Sequence, residues 1–154
     1  MTYLAGEARR ELLDTVAAAI AHLAAALADL GAAYELLDER AADRLEDELF
    51  GPVQHAYGRA RRTHTGFAGR AGLAEETFPA AAGEGPAGGT TARELLQRAM
   101  EGVARADMTL SALQDSMAPV EVGDPELRRG LAEVRELLGP LPGRAREFVR
   151  VLGR

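Results

Sequence analysis

The sequence predicts an all-α fold, a bundle of about four up-and-down helices led by a long N-terminal one. Three observations carry this. Apolar residues recur at helical spacing from Leu12 to Leu45: Leu12, Val16, Leu23, Leu27, Leu30, Tyr34, Leu37, Ala41 and Leu45 step by threes, fours and one seven, a period no strand can follow. Three further helical stripes follow, each opened by start signals of its own. At 154 residues without a cysteine, the chain is one domain, 1–154, large enough to bury a core without crosslinks or a structural metal.

The first helix is expected to run from Leu4 to Phe50. Gly31 interrupts it, but Leu30-Gly31-Ala32-Ala33 lacks turn-forming polar residues and the stripe keeps its phase across the glycine. A hairpin turning at Gly31 is the alternative and would give a conventional four-helix bundle. Gly51-Pro52 reads as a firm stop, because glycine suits helix ends and proline suits helix starts. A second helix then presents Val53, Tyr57, Ala60, His64, Phe67 and Ala71 in a new phase. The words Glu48-Leu49-Phe50-Gly51-Pro52-Val53 and Glu136-Leu137-Leu138-Gly139-Pro140-Leu141 nearly coincide, but the likeness does not extend outward and is shared helix-stop grammar rather than duplication.

Residues 78–90, rich in Pro, Ala and Gly, read as a flexible linker. Thr91-Ala92-Arg93-Glu94 is a capping box that opens a third helix to about Met117, with Leu96, Ala99, Val103, Ala106, Leu110 and Met117 inward. Asp124-Pro125 supplies an N-cap and a first-turn proline for the fourth. Its stripe, from Leu127 through Leu131, Val134, Leu138, Leu141, Ala145 and Phe148 to Leu152, stays in phase past Pro140 and Pro142, as in a kinked but collinear helix.

Composition narrows the functions. All 18 cations are arginine, a bias expected from a GC-rich genome such as an actinobacterial one. A net charge of -6 argues against nucleic-acid binding, which is built from cationic phosphate contacts. Arg9-Arg10 faintly resembles a twin-arginine signal, but Glu7, Glu11 and Asp14 stand where a leader is basic and then apolar. Asp29 also ends the run from Val16, which predicts no membrane span and a cytoplasmic protein.

No catalytic or cofactor motif emerges. None of His22, His55 and His64 has an acid three residues before it, and no His-x-x-x-His, phosphate loop or nucleophile elbow is present, so no metal or cofactor is expected. His22 raises phosphotransfer, since such domains are helical bundles, but its alanine-rich surroundings lack a neighbouring cation and read as a helix boundary. His64 falls within the second helix's apolar face and Asp107 at the edge of the third's. If those faces meet, the two form a buried polar pair; otherwise His64 is a satisfied core histidine and Asp107 turns outward.

Charge is the remaining signal. Seven acids stand against two arginines from Glu35 to Glu48, whereas residues 49–74 hold four arginines and no acid. If the chain reverses at Gly51-Pro52, Arg59, Arg61, Arg62 and Arg70 lie against those acids, within the chain or across a dimer. The alternative is a docking surface for an acidic protein partner, in which Arg59, Arg62 and Arg70 surround Tyr57 and Phe67 as anchors. The expectation is a non-enzymatic interaction module that self-associates as a dimer, because a first helix longer than the bundle leaves its Leu12–Leu30 face uncovered. The alternative is a small-ligand or effector-binding bundle with a pocket near His64 and Asp107.

Overall fold

The computed structural model of the chain describes residues 2–78 and 88–152. It is an all-α bundle of four rods, with no strand among the described residues. Helix α1 (Thr2–Leu36) forms the first rod and α4 (Ala92–Asp115) the third. The second joins α2 (Glu39–Leu45), a π-helical turn (Glu46–Phe50) and α3 (Gly51–Ala71); after a short α5 (Ala118–Glu121), α6 (Pro125–Leu138) and α7 (Leu141–Leu152) form the fourth.

Two boundaries differ from expectation. The first helix does not reach Phe50: it stops at Leu36, and Asp38, extended at φ -68° and ψ 166°, caps α2 by accepting from the Ala41 N–H at 2.8 Å. Phase continuity misled here because Leu37, Ala41 and Leu45 follow the old period by coincidence. Of these only Leu45 is fully buried, and the face of the second rod is set by Ala42, Leu45, Leu49 and Val53. Gly31 is no turn; it lies within α1, and a Cβ there would stand 3.8 Å from the Phe50 ring.

The second correction is that Gly51-Pro52 ends nothing. The Gly51 N–H reaches back five residues to the Glu46 carbonyl, and this wider turn admits Pro52 into a continuing helix. A Cβ on Gly51 would meet that carbonyl at 3.0 Å, which suits glycine. Proline cannot supply the N–H that normally satisfies the carbonyl four residues back. Arg144 of α7 donates to that Glu48 carbonyl instead, at 3.4 Å. The like word at Gly139-Pro140 does break the helix, but without reversing it. The two words meet side by side, Gly51 and Pro52 sharing a shallow hollow with Leu137 and Pro140.

Rods adjacent in space are antiparallel, but successive rods do not alternate: the second and third run the same way, so the order is up, down, down, up and not the up-and-down one expected. Arg70 pairs with Asp124, Arg59 with Glu133, and Arg44 covers Phe148, so the second and fourth rods run oppositely along their length. Asp29 pairs with Arg98, and Gly102 packs on the His22 carbonyl and Ala26, which sets α4 against α1 the same way. The third rod therefore starts at the end where the second started, and the segment between Gly72 and Thr91 joins opposite ends of the bundle. Most of the expected 78–90 linker lies outside the described residues. The capping box and the Asp124 cap form as expected, with Thr91 Oγ1 accepting from the Glu94 N–H at 3.1 Å and Asp124 Oδ1 from the Leu127 N–H at 2.9 Å.

The core follows the stripes. Leu12, Val16, Leu23, Leu27 and Leu30 are all buried, packed chiefly by α4 and also by α3. This removes the uncovered face from which self-association was expected, because α1 is no longer than its neighbours can cover. Met117 is the exception on the third stripe: it is 57% exposed, at a left-handed φ of 57° that ends α4. By length and composition Ala5–Leu36 could cross a membrane, since Asp29 alone interrupts its most apolar stretch. Half of that stretch is buried in the bundle.

Candidate functional site

The polar residues singled out from the sequence do not converge on one site. Tyr57 and Phe67 are core residues, 7% and 2% exposed, and cannot anchor a partner from the surface. Arg59 reaches across to α6, where it pairs with Glu133, and it also donates to Thr63 Oγ1 of its own helix at 3.0 Å. Its guanidinium holds the Glu133 carboxyl below its ordinary pKa. Arg70 grips Asp124 through both oxygens, at 2.7 and 2.9 Å, and this fork is the main cause that depresses the Asp124 pKa and raises that of Arg70. Arg61 lies over the Tyr57 ring, 5.4 Å from its centre.

The acids at 35–48 thus do not match these arginines within the chain. With no reversal at Gly51-Pro52, acids and arginines follow one another along a single rod and cannot face each other. Among the described residues Glu48 pairs with Arg44 of its own helix, and Arg62 forms no ion pair.

His64 and Asp107 do not form a pair either, because α3 and α4 stand diagonally in the bundle. Asp107 accepts from Arg135 Nε of α6 at 3.0 Å, and Arg135 Nη1 also donates to Gln114 Oε1 at 2.9 Å. His64 is 1% exposed, with the Phe78 ring edge-on at 5.0 Å. Neither ring nitrogen has a hydrogen-bond partner of normal geometry among the described residues. Burial is the main cause that lowers its pKa, against the opposing influence of Glu76, the Leu13 carbonyl and Asp14.

The sign of the resulting pH dependence follows. The native state holds the ring neutral, whereas the unfolded chain protonates it near pH 6.5. Stability from this site is full above about pH 6.5 and declines as pH falls below it toward the lower native value. The thermal midpoint should therefore fall faster on acidification in the parent than in His64→Leu. Parallel curves for the two proteins would refute a neutral buried ring.

Two surfaces remain open. On the second rod, Glu39, Asp43 and Asp47 crowd the exposed face of α2 and its π-helical extension, with Arg40 and Arg44 beside them. Farther along, Arg61 and Arg62 flank a shallow depression floored by Gly58, Thr65 and Gly66. The other surface is a groove of about 540 Å³ between α4 and α7. Its floor is Leu96, Met100, Ala104, Pro142, Ala145 and Val149, and Arg93 and Arg146 stand at its margins. His64 is not among its walls.

Sequence reasoning missed this groove. The signal was a second apolar line beside the main stripe on each helix: Met100 and Ala104 on α4, Pro142 and Val149 on α7. His22, half-buried on α1, lends its carbonyl to the close approach of α4 at Gly102. Among the described residues no cluster of His, Asp or Glu is arranged to hold a metal ion. No family model matches the chain, and no curated protein or solved structure matches it either.

Proposed function

We propose that this chain is a cytoplasmic, non-enzymatic interaction module that pairs with a second copy of itself along the α2–α3 rod. The observation that carries the reading is the charge order on that rod, with an acidic exposed face at one end and Arg61 and Arg62 at the other, unmatched by each other within the chain. Two such rods laid antiparallel about a two-fold axis near Gly51-Pro52 bring Asp43 and Asp47 of each copy to Arg62 and Arg61 of the other. The same patch meets itself in reverse, the self-complementarity a two-fold interface requires. The Leu12–Leu30 face takes no part, since the chain covers it.

Exposed ion pairs contribute about 0–1 kcal/mol each, so the dimer is held by several weak, salt-sensitive contacts. Sedimentation equilibrium at low and high salt tests this. The parent should dimerise at low salt and dissociate as salt rises. Reversing Arg61 and Arg62 to glutamate, or Asp43 and Asp47 to arginine, should weaken self-association by roughly tenfold or more, and mixing the two variants should restore a heterodimer. A parent that stays monomeric at low salt and high concentration refutes the reading. If reversal leaves the oligomeric state unchanged but abolishes capture of an acidic protein, the arginines serve that partner instead.

A further inference from the structure

The α4–α7 groove lies on a different pair of rods and can be read independently of self-association. Its walls run antiparallel, residues 93–104 of α4 on one side and residues 142–149 of α7 on the other. From Arg93 to Ala104 it extends for about 16 Å at helical rise. One turn past Ala104, Asp107 is bridged to Arg135 of α6 at 3.0 Å.

We propose that this groove binds the hydrocarbon chain of a straight-chain carboxylate, a free fatty acid of medium length, with Arg93 and Arg146 at its margins receiving the carboxylate. Three observations support this occupant. A volume of about 540 Å³ falls in the range of small-molecule sites. The apolar floor is one side chain wide on each wall, which fits a single extended chain. A docked helix presents an apolar face at least about 100° wide and would press its flanks against Gln97, Glu101 and the arginines.

Charge completes the argument. Neither Arg93 nor Arg146 forms an ion pair among the described residues, and Glu101 is the one acid on the groove's margin. An alkyl chain alone would leave both guanidinium groups without a counter-charge, whereas a carboxylate accepts their paired N–H donors. The Asp107–Arg135 bridge is already satisfied, so the charged end of a ligand belongs with Arg93 and Arg146.

Titration calorimetry with dodecanoate, held below its micelle-forming concentration, tests the proposal on the full chain. The expected result is saturable binding of one dodecanoate per chain. Arg93→Gln with Arg146→Gln should weaken it by tenfold or more, and dodecanol should bind the parent no better than dodecanoate binds that double variant. Ala104→Trp places an indole in the groove from an exposed position and should abolish binding; thermal melting verifies that both variants remain folded. Absence of saturable binding overturns the proposal, as does binding indifferent to Ala104→Trp or to loss of both arginines. Capture of an acidic amphipathic peptide in place of dodecanoate overturns it in favour of a helix-docking groove.

Discussion

Gly130→Ala should destabilise the bundle by about 3 kcal/mol, the upper range for overpacking a tight interior contact. A Cβ on Gly130 would lie 2.2 Å from Thr63 Oγ1 and 2.7 Å from its Cγ2, where α6 crosses α3. The threonine cannot swing away freely. Its hydroxyl donates to the Arg59 carbonyl at 2.8 Å and accepts from Arg59 Nη1 at 3.0 Å, and Arg59 is itself held by Glu133. Denaturant titration should show the loss, and Thr63→Ala in the same chain should recover part of it. Gly6→Ala is the counter-example: nothing lies within 4 Å of its Cβ, so the same change should raise stability by about 0.5–1 kcal/mol through helix propensity alone. Equal effects at the two glycines would refute the close approach at Thr63.

Phe148→Ala should cost about 3–5 kcal/mol, the range for emptying a fully buried aromatic site. The ring is wholly buried, and the Arg44 guanidinium lies over it, 5.2 Å from its centre. It ties α7 to the second rod beyond the Gly139-Pro140 break, where backbone hydrogen bonding to α6 is interrupted. Hydrogen exchange should show α7 losing protection ahead of the other helices, with α6 retained. A loss below about 1 kcal/mol with α7 still protected would mean that other contacts hold it.

Much of the architecture was legible because burial and cap chemistry are local signals. The third and fourth helices begin where Thr91 and Asp124 say they should, and the residues of their stripes from Leu96 to Leu110 and from Leu127 to Phe148 are buried. What misled was punctuation within the second rod. Asp38 is a good N-cap hidden inside an apparently unbroken stripe, and Gly51-Pro52 carries a stop signal that a π-helical turn absorbs. Both errors come from tertiary packing, which chose the buried face after the turn and left the sequence period in accidental agreement across it. The within-chain half of the charge reading failed for the same reason: whether Glu35–Glu48 and the arginines meet in one chain depends on a reversal whose place had been misjudged. His64 and Asp107 each stand where the sequence put them, one inside and one at an edge. No local pattern says that their helices are diagonal neighbours.

The return of the chain to the starting end before α4 has a consequence in time. The most extensive packing in the bundle joins α1 to α4, which are separated in sequence by the whole second rod and the segment that follows it. A ribosome delivers α1 first, and at about 5–20 residues per second the flank that α4 will cover waits several seconds for it. During that interval Leu23, Leu27 and Leu30 belong to a partial hairpin with an oily side, and a neighbouring nascent chain offers the same side. When α4 emerges on its long tether, it can settle on the α1 of either chain with the same contacts. Exchange of α4 between chains is thus the misassembly to which this order of synthesis is most open, and dilution during refolding should suppress it.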